Sequence, residues 1–158
     1  MQLHVIRRKM NEKTKRQLKE VASGCLAEAT RRTSRKLNQF YAERMRPAGL
    51  SGQQFSLMTA IGLLGPVTIG KLAEATSTDR TTLSRNLRLL QERGLMALGP
   101  GQDRREQKIT LTAAGGRAAA RAYHLWLEAQ TELISRFGKR RLQNLLGELR
   151  EVRQILDG

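Results

Sequence analysis

Cysteine occurs once in the 158 residues, histidine twice and proline three times. Aromatic residues make up 4% of the chain, and 14 Asp plus Glu face 29 Lys plus Arg. Each scarcity excludes something. A single cysteine forms no intrachain disulfide, which fits a reducing compartment and a cytoplasmic protein. Two histidines and one cysteine leave too few ligands for a His/Cys metal site. With so few rings, a core has to be filled by Leu, Ala, Ile and Met. The longest uncharged run, residues 47–70, has the length of a membrane span but holds five glycines and two prolines among Ser, Thr and Gln, so it reads as buried globular structure. The basic start, Met1 to Met10, meets Asn11-Glu12-Lys13 with no apolar stretch behind it, so no signal peptide is expected. No nucleophile–base arrangement is legible. Glu128 and Glu132 form an i, i+4 pair of the kind helix surfaces carry. A non-enzyme without metal or other cofactor is expected.

What is abundant is positive charge. The formal net charge is +15 on a chain that is 39% hydrophobic. A small aliphatic domain of this kind meets a polyanion: nucleic acid first, an anionic membrane surface well behind it. A membrane role is not expected, because the basic N-terminal region lacks the Trp, Phe or Leu-rich face that inserts. The charge is uneven, with 13 basic and 4 acidic side chains in residues 1–46. Such a region is either a solvated helix face or an arm that neutralises phosphates, and charge does not choose between them.

Apolar periodicity predicts one long helix from Glu12 to Met45, ended by Pro47. Ser51-Gly52-Gln53-Gln54 is a capping box, and the helix it opens runs through Phe55, Met58, Ile61 and Leu64 to a stop at Gly65-Pro66. Thr68 opens a short helix, Ile69 to Ala75, expected to bury Ile69, Leu72 and Ala73. After the polar turn Thr76-Ser77-Thr78, either Thr78 or Asp79 caps a third helix to Arg93, with Gly94 as its stop. The period then changes. Leu95 to Leu98 and Gln107 to Leu111 read as two strands around a Gly/Pro-rich basic loop, a hairpin. Thr112 caps a second long helix through Trp126 to Phe137, and after Gly138 a last one carries Leu142 to Ile155. The expected fold is mainly α with a small β-hairpin wing. It comprises an N-terminal arm and dimerisation helix (1–47), a winged helix-turn-helix lobe (48–112) and C-terminal dimerisation helices (113–158).

The third helix carries the function. At 100° per residue, Leu83, Leu87 and Leu90 fall within about 60° of one another and make a core face. Thr81, Ser84, Arg85 and Arg88 lie opposite, with Thr82 at the flank and Arg80 at the start. A recognition helix needs this division: one face packs while the other offers guanidinium and hydroxyl groups to base edges and phosphates. Alone it is no more than a solvated amphipathic helix. Preceded by the helix that Thr68 opens and followed by a hairpin, it points to DNA. Arg104 and Arg105 at the hairpin tip can reach a minor groove, whose negative potential favours guanidinium. Asp103 repels phosphate, so its place there calls for an ion pair or turn cap that aims an arginine. The segment from Gly65 to Leu72 nearly matches a P-loop, but Leu72 stands where a magnesium-binding hydroxyl is needed and a helix precedes it.

These segments resemble the MarR family, the multiple-antibiotic-resistance-type bacterial regulators. The resemblance rests on Leu50-Ser51-Gly52-Gln53-Gln54-Phe55-Ser56-Leu57, Ile69-Gly70-Lys71-Leu72-Ala73, Asp79-Arg80-Thr81-Thr82-Leu83-Ser84-Arg85-Asn86-Leu87, Glu92-Arg93-Gly94-Leu95, and Asp103-Arg104-Arg105 followed by Leu111-Thr112-Ala113-Ala114-Gly115. It implies a homodimer on double-stranded DNA, with two winged lobes on an inverted repeat and Arg105 in the minor groove supported by Asp103. It also implies repression relieved by a small aromatic or phenolic effector, bound between dimer and DNA lobes. Tyr41, Phe55, Met58 and Trp126 are candidates to line that pocket or to be core. One branch of the family senses hydroperoxides through a first-helix cysteine, for which Cys25 is the candidate, with Arg31, Arg32 and Arg35 nearby. Cys25 stands about two residues earlier than in that branch, and its other reading is a small buried apolar residue. A nonspecific basic nucleic-acid-coating protein is the alternative of a different class.

Overall fold

The computed structural model describes residues 10–101 and 107–157. In order, α1 is Glu12–Gly24, α2 Leu26–Met45, α3 Gly52–Leu64, β1 Val67–Thr68, α4 Ile69–Thr76, α5 Arg80–Glu92, β2 Met96–Pro100, β3 Gln107–Leu111, α6 Ala113–Phe137 and α7 Lys139–Asp157. A single 3-10 turn, Arg46–Ala48, with Pro47 inside it, separates α2 from α3. By internal packing the chain divides between Gln39 and Phe40 into two compact units.

In the first unit, the long helix expected from Glu12 to Met45 is broken at Cys25, which takes an extended conformation (φ −78°, ψ 108°). Gly24 explains the weakness. Glycine loses the most backbone freedom in a helix, and nothing lies within 4 Å of where its Cβ would be, so no packing offsets that loss. The Cys25 N–H still donates to the Val21 carbonyl, and its own carbonyl accepts from Ala29 N–H. Asn11 caps the start of α1 by accepting from Thr14 N–H at 2.7 Å. α1 buries no residue.

In the second unit the core forms around α3, α4 and α5. Met58, Leu72 and Leu90 are fully buried, and Met45, Ile61, Leu83 and Ile109 are within 1% of it. Each such side chain contributes roughly 1.5–3 kcal/mol of transfer free energy. The core extends past residues 48–112 on both sides, since Met45, Ala118 and Ala122 belong to it. The capping box forms in full: Ser51 Oγ accepts from Gln54 N–H at 3.1 Å and Gln54 Oε1 accepts from Ser51 N–H at 3.0 Å.

The sheet has three strands rather than two, in the order β1-β3-β2 and antiparallel throughout. Val67 pairs with Ile109 on one side of β3, and Leu98 pairs with Ile109 on the other. A two-residue strand is too short to leave an alternating pattern, which is why β1 is invisible in the sequence. Ile69, expected in the core, is 42% exposed. It opens α4 beside the Thr68 cap, and the burial on that helix falls to Leu72, three residues on.

Candidate nucleic-acid interface

The second helix of the pair α4–α5 is set by its ends. Asp79 Oδ1 accepts from Thr82 N–H at 2.8 Å and caps α5. That backbone hydrogen bond holds the Asp79 carboxyl below the ordinary aspartate range. The turn before it is tight. Ser77 adopts a left-handed conformation (φ 46°), and Thr78 N–H reaches back to the Ala73 carbonyl. Thr68 caps α4 by accepting from Lys71 N–H at 3.3 Å, which leaves its own O–H to donate.

α5 divides as its spacing demands. Leu83, Leu87 and Leu90 are buried, while Arg80, Thr81, Ser84, Arg85 and Arg88 are exposed and Thr82 is half-buried. Arg88 pairs with Glu92 at 3.4 Å, an exposed i, i+4 contact of well under 1 kcal/mol that a phosphate displaces at little cost. Ser84 and Arg88 also edge a groove of about 530 Å³ between α5 and the sheet, with Thr68, Ile69 and Leu98 across from them. Asp103, Arg104 and Arg105, the expected wing tip, lie outside the described residues. The strands that carry them, β2 and β3, run in register from Met96–Leu111 to Pro100–Gln107.

The candidate pocket residues have separate surroundings. Met58 is wholly enclosed in the core, which leaves it no surface to offer a ligand, and Phe55 packs against that core. The Tyr41 hydroxyl donates to Gln130 Oε1 at 2.6 Å, and burial pushes its pKa up. Trp126, one helical turn before Gln130, stacks on Tyr123 with ring centroids 5.9 Å apart. Cys25 is half-buried. Arg31 and Arg32 are both paired with Glu28, which neutralises part of the positive surroundings a thiolate requires. Among the described residues, no group of three His, Cys, Asp or Glu is placed to hold a metal ion, and no helix is long and apolar enough to cross a membrane.

Three features escaped the sequence. Arg93, at the end of α5, donates to the Gly49 carbonyl at 2.7 Å. Thr112 Oγ1 donates to the Gly94 carbonyl at 2.7 Å, beyond its capping of α6. Gly115 lies so close to β2 that a Cβ would stand 1.9 Å from the Leu95 carbonyl oxygen. Gly49 (φ 64°) behind Pro47 marks the corner that Arg93 meets. Nothing in the sequence pairs it with a residue 44 positions later.

A helix-turn-helix with an exposed Arg/Thr/Ser face on its second helix, followed by an antiparallel β-ribbon, defines a winged helix-turn-helix DNA-binding regulator. Residues 48–106 match the model of the MarR family. The DNA complex of the Mycobacterium tuberculosis transcriptional regulator MosR is 34% identical, with 84% of this chain and 98% of that one covered at a TM-score of 0.72. A mutant MarR from Escherichia coli complexed with operator DNA shares the fold at 21% identity (84% and 96% covered, TM-score 0.75). An uncharacterized HTH-type transcriptional regulator of Bacillus subtilis, YwoH, is 25% identical over 95 residues, 60% of this chain and 69% of that protein. The chain belongs to the MarR family of DNA-binding transcriptional regulators.

Proposed function

We propose that the chain is a cytoplasmic, nucleoid-associated repressor that binds an inverted-repeat operator as a homodimer and is released by a small aromatic or phenolic effector. The observation that carries the reading is the exposed face of α5, where Thr81, Ser84, Arg85 and Arg88 stand free of the core while Leu83, Leu87 and Leu90 fix the helix beneath them. In this reading α5 enters the major groove, with Arg80 and Thr82 beside that face, and Thr68 approaches the backbone from the start of α4. Arg104 and Arg105, with Asp103, serve the minor groove. Support for the dimer comes from α7, which buries nothing and leaves Leu145, Leu146, Leu149, Ile155 and Leu156 between 38% and 78% exposed. A second copy is the economical cover for such a face, and it sets two α5 helices about 34 Å apart, one DNA turn. Release then requires the effector to favour a lobe spacing that no longer matches the groove repeat. Tyr41, Phe55 and Trp126, on α2, α3 and α6, are the pocket candidates left with surface to offer.

The test is selection of preferred duplexes from a random-sequence library at near-physiological salt. Enrichment of inverted repeats with half-site centres about ten base pairs apart is the expected result. Binding without any enriched motif would sink the repressor reading and leave the +15 chain as a nonspecific nucleic-acid-coating protein. Cys25, at the break between α1 and α2, supports a second reading as an oxidant sensor. Unchanged duplex affinity after hydroperoxide treatment removes it.

A further inference from the structure

The C-terminal end of α5 is held from two sides. Arg93, the residue that closes the helix, donates a guanidinium N–H to the Gly49 carbonyl at the corner where α2 gives way to α3. Gly49 is left-handed there, and a Cβ on it would stand 3.4 Å from the Arg93 guanidinium. On the other side, Thr112 at the start of α6 donates its hydroxyl to Gly94 O and its N–H to Leu95 O. Farther along, the end of α2 and the body of α6 are tied directly, since Arg44 grips both carboxylate oxygens of Glu132 at 2.6 Å. The four connections close a circuit from α2 through the corner, α5 and the start of α6, and back to α2. A shift of α2 against α6 therefore has a path to the tilt of α5 that does not pass through the exposed α5 face.

We propose that Arg93 is a positioning residue for DNA recognition. It does not touch DNA. It tethers the end of the recognition helix to the α2–α3 corner and so sets the angle at which Thr81, Ser84 and Arg85 meet the groove. This rests on the reading of α5 as the recognition helix. The rival role for an exposed arginine at this place is a direct phosphate contact, and the two roles separate by measurement. A lost phosphate contact weakens binding to all duplexes alike and reduces the salt slope by about one. A lost tether weakens the preferred duplex selectively and leaves the slope alone.

The experiment uses the full chain as wild type and Arg93→Gln. Duplex affinity is measured against salt on the sequence that the wild type selects from a random library, and on a random duplex. Amide hydrogen exchange is followed in the free protein. Arg93 is exposed, so Arg93→Gln folds. Arg93→Gln is expected to lose about tenfold on the preferred duplex, the order of one charge-assisted hydrogen bond. The random duplex and the salt slope stay unchanged. Gly94 and Leu95 amides exchange faster in the free Arg93→Gln protein. Unchanged preferred-duplex affinity overturns the proposal whatever the exchange shows. So does a salt slope reduced by about one. A wild type that selects no duplex refutes the recognition-helix reading instead, and the exchange result still reports whether the tether holds α5.

Discussion

The winged lobe and the helices at the two ends of the chain both carry apolar residues at helical spacing, and those residues end in opposite states. In the lobe, leucines such as Leu72, Leu83 and Leu90 are no more than 1% exposed. In α1 and α7, which bury nothing, Leu18 is 52% and Leu156 78% exposed, and both helices still carry an amphipathic pattern. Composition already inclines them that way, since α3 carries no charged side chain while α1 and α7 are rich in Lys, Arg and Glu. Packing among the described residues completes the difference. Three short helices and a sheet close on one another and form one core, whereas a helix whose apolar stripe stays exposed gains little beyond its own weak propensity. The lobe encloses its apolar side chains, and the end helices leave theirs exposed.

The largest effect that would break this contrast lies in α7. Leu146→Asp with Leu149→Asp removes the apolar stripe without touching the lobe core. In sedimentation, the particle is expected to fall from twice 17.8 kDa to 17.8 kDa. Affinity for a two-half-site duplex falls at least about a hundredfold, because two linked sites become one. A variant that stays dimeric would show that something other than a second copy covers that face. The converse change, Leu72→Ala in the lobe, costs about 2–5 kcal/mol in urea denaturation and leaves the mass unchanged.

Gly115→Ala sharpens the comparison by testing how tightly the lobe closes on α6. Its new methyl meets the Leu95 carbonyl, and the strain is expected to cost about 1–3 kcal/mol in thermal unfolding. Arg85→Ala leaves stability within about 0.5 kcal/mol and loses about 1–3 kcal/mol of discrimination between the preferred duplex and one changed at the contacted base. The smallest effect belongs to Asp79→Ala, read as a pH series of thermal midpoints. The capping carboxylate has a depressed pKa in the folded protein, so its contribution is complete above the unfolded value near 4 and is lost as pH falls through the folded one. The variant is expected to melt a few degrees below wild type at pH 7. The two converge in strong acid. A gap that persists in strong acid would show that the carboxylate's charge is not what caps α5.

Much of the site was legible because its signals are local. The Ser51–Gln54 box, the Thr68, Asp79 and Thr112 caps, and the 3.6-residue spacing of Leu83, Leu87 and Leu90 each lie within one or two turns of backbone, where geometry follows from residue order. The helix break at Cys25 was also written locally, in Gly24, but with a small enough penalty that packing had the final word. β1 left no trace, because its two residues are a strand only by virtue of β3 lying alongside.

The sequence by itself determined a basic, mainly helical chain with a winged helix-turn-helix order and the polar face of its third helix. Only the tertiary structure decided that Ile69 lies open beside a groove, that Met58 is sealed in the core, that Gly115 makes room for the Leu95 carbonyl, and that Arg93 reaches Gly49. These are contacts across 20 to 50 residues of chain, between groups that no periodicity relates. They arise when whole elements pack, because dense packing fixes which atoms meet, while backbone order fixes only which element each atom belongs to.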